Sequence, residues 1–371
     1  VDPLLSPLSR TDLEALLLLN RTPGIRVRSL RPFLDQGLLP SEILEQIRLG
    51  VNSSWKDSLA ATQKVFNPEK EIEVCAERGI EIIPLLSEPY PALLKEISDP
   101  PLLLYRKGTG DLSDEAAVAV VGSRHPSLYG LDQARRFSQK LATWGFTIVS
   151  GFARGIDRSA HEGALQISYG RTIAVLGSGL DVIYPKEHQA LYEEISERGA
   201  VLSEFALGTP PLAENFPKRN RIIAGLSLGV FVVEAHSRSG SLITAHLANE
   251  EGREVFALPG RVDQLGSRGT HRLIKEGALL TESAEEILET LEPQLRPLFS
   301  QASEGSTEPD TDEKELQFLA SLNQALTLDE LIRERKCAVS EASGLLTRLE
   351  LKGLVRKRSD GRYERQIALP I

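Results

Sequence analysis

AVAVVGSRHPSLYG, residues 117–130, runs from small and β-branched residues through a glycine and a cation into a helical pattern. A short, nearly continuous apolar run fits a strand buried on both faces, as in parallel sheets. The unit recurs. FTIVSG from Phe146, TIAVLG from Thr172, AVLSEF from Ala200, GVFVVEA from Gly229, EVFALPG from Glu254 and ALLTE from Ala278 alternate with helical stretches between residues 116 and about 288. Strand, glycine loop and helix repeated in that order specify the α/β class, a Rossmann-like doubly wound parallel sheet with right-handed crossovers.

Four of the loops after these runs combine glycines with cations: VGSRHPSLYG from Val121, SGFARGIDRSAHEGA from Ser150, LGSGLDVIYPKEH from Leu176 and FPKRNRIIAGLS from Phe216. In a parallel sheet such loops gather at one edge, where glycine lets backbone amides approach a ligand and Arg or Lys neutralises it. The expected ligand carries phosphate, and four basic loops point to a polyanion longer than a mononucleotide.

Composition bounds the reading. The 371 residues carry a net charge of -9, so a polyanion must be met by a local cluster of cations, not by the surface at large. Cys75 and Cys337 stand far apart without a metal-ligand or disulfide framework, fitting two buried small side chains in a reducing compartment. No apolar stretch reaches the roughly 18–20 residues of a membrane span, and the N-terminus lacks signal-peptide order, so a cytoplasmic protein is expected. With no Met present, Val1 is not read as the translational start.

The flanks differ in character. Residues 1–86 read as a small helical domain in which a TPGI turn joins two helices and Ser41 caps a third. Two readings are open there: a packing module of sterile-alpha-motif (SAM-like) type, or a helix-hairpin-helix unit whose turn amides touch a DNA phosphate. EIIPLL and PLLLYRKG, separated by proline-broken sequence, read as edge strands or a connector into a central domain spanning residues 87–290. Residues 291–312 are rich in Ser, Glu and Pro and are expected to be a flexible linker. Residues 313–371 hold three helical patterns, with Thr327 and Ser340 as caps, and a hairpin around Asp360-Gly361, the outline of a winged-helix domain. From residue 331 onward there are ten Lys or Arg against five Asp or Glu, a local charge of +5. That charge suits duplex DNA, while many winged helices bind only protein.

Within the central loops, Gly122 ends its strand without a Cβ, so the amides of Ser123 and Arg124 are expected to face an oxyanion and Arg124 to fork onto phosphate. Ser150 and Gly151 place small residues before the next helix, where Asp157 caps the helix or orients Arg154. Lys186 follows Pro185, and Tyr184 offers a stacking face. Lys218, Arg219, Asn220 and Arg221 form the densest basic group. Pro217 is read as the first helical residue, which places Arg219 and Asn220 in the first turn, where cations oppose the helix dipole. Gly240, Ser241 and Thr244 open another helix as an anion site or as ordinary caps.

The ordered set VGSRHPSLYG, SGFARGIDRSAHEGAL, AVLGSGLDVIYP, SEFALGTPP, FPKRNRIIAGLS, SGSLITA and ALPG resembles the DNA-processing protein A family (DprA, also called Smf) over about 180 residues. The resemblance implies a protein that binds single-stranded DNA during natural transformation and hands it to the RecA recombinase, forming a homodimer through its Rossmann-like domain. It implies an anion pocket at Gly122, Ser123, Arg124, Ser150, Gly151, Lys186, Arg219 and Arg221. His188 and His271 depart from the pattern, standing where the family often has Asn, and an imidazole cannot reproduce an amide's donor and acceptor pair. Ala206 replaces a common Pro.

The sheet also resembles phosphoribohydrolases of nucleoside monophosphates, the alternative function. Those enzymes need a carboxylate close behind the glycine-rich helix start, whereas GSLITAHLANEE has none before Glu250. No P-loop, complete dinucleotide fingerprint or metal constellation is present. The expectation is a binding protein without catalytic residues, cofactor or metal.

Overall fold

The computed structural model describes residues 8–110, 112, 116–305, 327–335, 342, 345–346, 349, 355–357 and 362–365. Nine strands form one sheet: β1 (Glu81–Pro84), β2 (Leu103–Gly108), β3 (Ala117–Val121), β4 (Thr147–Ser150), β5 (Thr172–Val175), β6 (Ala200–Ser203), β7 (Gly229–Val232), β8 (Glu254–Ala257) and β9 (Leu279–Leu280). Their spatial order is β1-β2-β6-β5-β4-β3-β7-β8-β9. From β6 to β9 every pairing is parallel, while β2 pairs antiparallel with both β6 and β1. Every residue of β3, β4, β5, β6 and β7 is buried, which is why those strands read as unbroken apolar runs.

The chain winds outward from β3 to β6 and then returns to the other side of β3 for β7. Val118 pairs with Ile148 of β4 on one side and with Gly229 of β7 on the other. The order therefore reverses between β3 and β7, and ligands of doubly wound sheets bind beyond the carboxyl ends of strands at such a reversal.

Helices α1 (Arg10–Arg21), α2 (Val27–Leu34), α3 (Pro40–Arg48), α4 (Ser53–Val65) and α5 (Pro68–Glu77) precede the sheet. Leu19, Leu30 and Ile47 from these helices belong to the same buried apolar core as Leu104, Val201 and Val232 of the sheet. One compact unit covers Val1–Glu289, and the boundary expected after residue 86 falls between two paired strands of one sheet. Ser41 is not a cap. Pro40 opens α3, and the Ser41 hydroxyl donates to Asp12 Oδ1 at 2.6 Å. The proline-broken connector holds a single helical turn, α6 (Ala92–Lys95).

In the central unit the crossovers are α7 (Leu128–Thr143), α8 (Ile156–Leu165), α9 (Gln189–Arg198), α10 (Asn215–Gly225), α11 (Gly240–Glu250) and α12 (Arg268–Lys275). Helix α13 (Ala284–Gly305) enters the stretch read as a flexible linker. Ile287, Leu291 and Leu295 recur every fourth residue and are buried, an apolar period that the surrounding Ser, Glu and Pro mask in the sequence.

The second unit, Thr290–Ile371, contains α14 (Leu328–Arg335) and an antiparallel pair, β10 (Val355–Lys357) with β11 (Tyr363–Arg365). Thr327 caps α14 through the Glu330 amide, and Glu330 returns a carboxylate to the Thr327 amide at 2.7 Å. Leu331, Ala342, Leu345, Leu346, Leu349 and Val355 form its apolar core. The first helical pattern of this region, the Ser340 cap, the Asp360-Gly361 turn and Cys337 lie outside the described residues.

Candidate nucleic-acid interface

At the reversal between β3 and β7 lies a crevice of about 550 Å³. Its walls include Gly122, Ser123 and Arg124 after β3, Phe216, Arg219 and Asn220 on α10, and Gly240, Ser241 and Thr244 at the start of α11. Chain topology thus gathers three sequence-predicted groups in one place.

The residues do not all act as their types imply. A Cβ on Gly122 would lie 2.6 Å from Ile156 Cγ1 and 2.9 Å from the Glu234 carbonyl, so this glycine lets β3 and α8 pack closely. The Ser123 amide, expected to face an anion, donates instead to the Glu234 carbonyl at 2.7 Å. Arg124 is left exposed at the mouth, its guanidinium carbon 4.9 Å from the centroid of Phe216. Arg219 approaches the same ring at 5.9 Å, and Tyr184 tilts toward it with centroids 6.2 Å apart.

Arg219 is buried beneath the crevice, with 3% of its surface exposed. Its Nη1 donates to the carbonyls of Gly151 and Val175, tying the loop after β4 to the end of β5. Gly151 is required because the guanidinium occupies the space a side chain would need, 2.7 Å from its Cβ position. Desolvation lowers the Arg219 pKa to about 10, opposed by the neighbouring Asp157 carboxylate. Asp157 is pushed up by the same burial and held down by Arg219 and by the Ala153 amide, which donates to its Oδ2 at 3.2 Å. Asp157 therefore acts on Arg219 as a buried countercharge through space, without a direct ion pair between them. Arg154 pairs with Glu187 instead, at 2.5 Å. Helix α10 begins at Asn215, two residues before Pro217, so Arg219 and Asn220 lie beyond its first turn and the cost of Arg219 is desolvation rather than dipole opposition. Asn220 donates to the Gly240 carbonyl at 3.2 Å, joining α10 to α11. Ser239, not Ser241, caps α11, and the two hydroxyls lie 2.8 Å apart.

Several sequence-predicted residues lie elsewhere. Ser150 is fully buried and donates to the Val120 carbonyl at 2.6 Å. Gly151 lines a small adjoining cavity with Arg124, Tyr184 and Phe216. Lys186 is exposed at the start of a 3₁₀ turn and lines neither cavity. Lys218 and Arg221 face a separate cleft, and Arg221 is committed to Glu204 through both terminal nitrogens. Burial lowers the pKa of His188, whose ring packs edge-on against Phe152 at 5.2 Å beneath the second glycine loop. His271 Nε2 lies 2.9 Å from the Gly260 carbonyl. Both imidazoles thus support loops.

Two further residues belong to the site. Phe216 is the first, its ring bracketed by Arg124, Arg219 and Tyr184. Glu234 is the second: its carbonyl holds Ser123, while its carboxylate accepts from the Ser127 amide at 3.1 Å and the Ser127 hydroxyl at 2.8 Å. One residue thereby fixes both ends of the loop that presents Arg124.

Fold and site together define a Rossmann-like protein with an arginine-edged crevice at its topological switch point. The model for DNA recombination-mediator protein A matches residues 81–292, and the DprA winged helix domain matches residues 302–361. Protein Smf of Escherichia coli K12 is 46% identical over 297 residues, 78% of this chain and 79% of that protein. The DNA processing protein DprA of Streptococcus pneumoniae R6 is 50% identical over 208 residues, 56% of this chain and 73% of the relative. Among solved structures, DprA from Streptococcus pneumoniae superposes with a TM-score of 0.62 at 40% identity, covering 75% of this chain and 95% of that one. DprA from Helicobacter pylori, whose structure was described for its single-stranded DNA binding mode, gives 0.52 at 32% identity over 58% and 96%. The chain belongs to the DNA recombination-mediator protein A (DprA/Smf) family, with its α/β Rossmann-like fold and C-terminal winged helix.

Proposed function

We propose that this chain binds single-stranded DNA across the switch-point crevice, without catalysis, and delivers it to the RecA recombinase during natural transformation and homologous recombination. The observation that carries the DNA reading is the half-buried Phe216 ring beside the exposed Arg124 guanidinium, an aromatic face next to a cation free to meet phosphate. Arg124 supplies the exposed charge and Arg219 holds the floor. Lys186 and Lys218 are proposed to extend the path outward from the crevice.

RecA loading rests on the family resemblance. A homodimer is favoured by the edge strand β9, where Leu279 and Leu280 are 40% and 49% exposed. A cytoplasmic place of action goes with this role, and among the described residues no helix is long and apolar enough to cross a membrane. Duplex binding by the basic winged helix is a separable part of the proposal.

The phosphoribohydrolase reading requires a carboxylate free to act at the crevice, and the acid lining it is Asp157, buried, accepting from the Ala153 amide and facing the charge of Arg219. Binding assays with oligo-dT, matched duplex and AMP separate the readings. Salt-sensitive oligo-dT binding supports the proposal, and AMP turnover contradicts it.

A further inference from the structure

Helix α10 has a second side. Lys218 and Arg221 line a cleft of about 330 Å³ whose opposite wall is the Thr22–Val27 turn joining α1 to α2. Arg26 stands on that wall and Arg21, the last residue of α1, beside it, giving four cations to the cleft against the carboxylates of Asp99 and Glu204. Arg221 is spent on Glu204 and also approaches Asp99, at 3.5 Å. Arg26 meets Asp99 at 3.7 Å but keeps 64% of its side chain exposed; Lys218, 3.7 Å from Glu214, remains 44% exposed. In a chain of net charge -9, this local cationic excess stands out against the whole. Gly24, at φ +86°, forms the tip of the turn with no side chain above its backbone.

The switch-point crevice lies along Phe216, Pro217, Arg219 and Asn220, and this cleft along Lys218 and Arg221. The two are therefore separated by one helix, about 10–12 Å across with its side chains. A few nucleotides cover that distance.

Resting on the single-strand reading above, we propose that the cleft between the Thr22–Val27 turn and α10 is a second phosphodiester-backbone site. It takes the strand as it passes over Lys218 and leaves the switch-point crevice. Arg21 and Arg26 supply exposed charge to phosphates, while the Arg221–Glu204 pair fixes the wall.

The test uses the full chain with dT oligonucleotides of about 5 and about 20 nucleotides, one near the lower end and one beyond the upper end of the ~4–16 nucleotide sites of single-strand-binding folds. Arg21→Glu/Arg26→Glu should bind the short strand like the unmodified protein and the long strand at least about 5-fold more weakly. Its log K against log salt slope for the long strand should be shallower by about 1.4, two phosphates at ~0.7 each. Arg21→Gln/Arg26→Gln, with matched thermal unfolding, separates lost contacts from introduced repulsion and should show the same slope change. Unchanged affinity and slope on the long strand, with normal binding by the unmodified protein, overturn this site alone. If the unmodified protein binds neither strand, the switch-point reading fails and this site fails with it.

Discussion

The Arg124 guanidinium lies 4.9 Å from the Phe216 ring centroid, so the exposed cation and the aromatic face of the crevice form one unit. In the proposed complex a base stacks against the Arg124–Phe216 pair, which places its phosphate within reach of Arg124. Phe216→Ala should weaken oligo-dT binding by about 1–3 kcal/mol, the usual worth of one base on an aromatic platform. Arg124→Ala should also weaken it, and the double variant should lose less than the two separate losses combined. Fluorescence anisotropy on the four proteins measures that coupling.

Glu234 holds the Arg124 loop at Ser123 and Ser127. Glu234→Ala should cost about 1–3 kcal/mol of stability, because the Ser127 amide and hydroxyl lose their acceptor. It should reduce oligo-dT affinity as well, through the misplaced Arg124, and should have little further effect in an Arg124→Ala background. Glu234→Gln, which retains an acceptor oxygen, should fall between. Urea unfolding and anisotropy read the two effects.

Arg219 is a buried cation with a buried countercharge. Arg219→Met leaves Asp157 without its countercharge and should destabilise by about 3–5 kcal/mol. Adding Asp157→Asn should recover part of that loss, measured as a shift in urea midpoint.

His161 is fully buried, and its Nδ1 lies 2.7 Å from the Thr172 hydroxyl. Desolvation takes its pKa from 6.5 to about 3. The unfolded chain therefore gains a proton that the native state refuses, so stability is present above pH 6.5 and falls as pH drops toward 3. The decline from this group should be about 1.4 kcal/mol per pH unit within that window. His161→Asn should flatten the profile by that amount in urea titrations at successive pH values.

The parallel strands were legible because strands covered on both faces need continuous apolar runs, and the glycine loops followed from those strands. The division of labour within the basic group was not. Arg219 and Arg221 are two residues apart, about 200° around a helix, so they face opposite sides. Knowing which side meets the sheet requires the fold, and one arginine proves to be the floor of the crevice while the other belongs to an ion-paired wall. Helix α10 starts two residues before the position that Pro217 suggests, because proline favours N1 but tolerates any first-turn position. Phe216 gave no signal apart from an ordinary core aromatic. Glu234 reads as the end of a strand until Ser127, 107 residues earlier, folds onto it.

A salt titration of oligo-dT and matched-duplex binding, with the unmodified chain and Arg124→Glu, tests the switch-point crevice most directly. Oligo-dT should bind more tightly than duplex in a chain ending before the winged helix, with log K falling linearly in log salt. Arg124→Glu should bind more weakly and lower the slope by about 0.7, one phosphate on a single strand. Equal affinity for duplex in that truncated chain, or an Arg124→Glu titration that superimposes on the unmodified one, would place the DNA somewhere other than the crevice between β3 and β7.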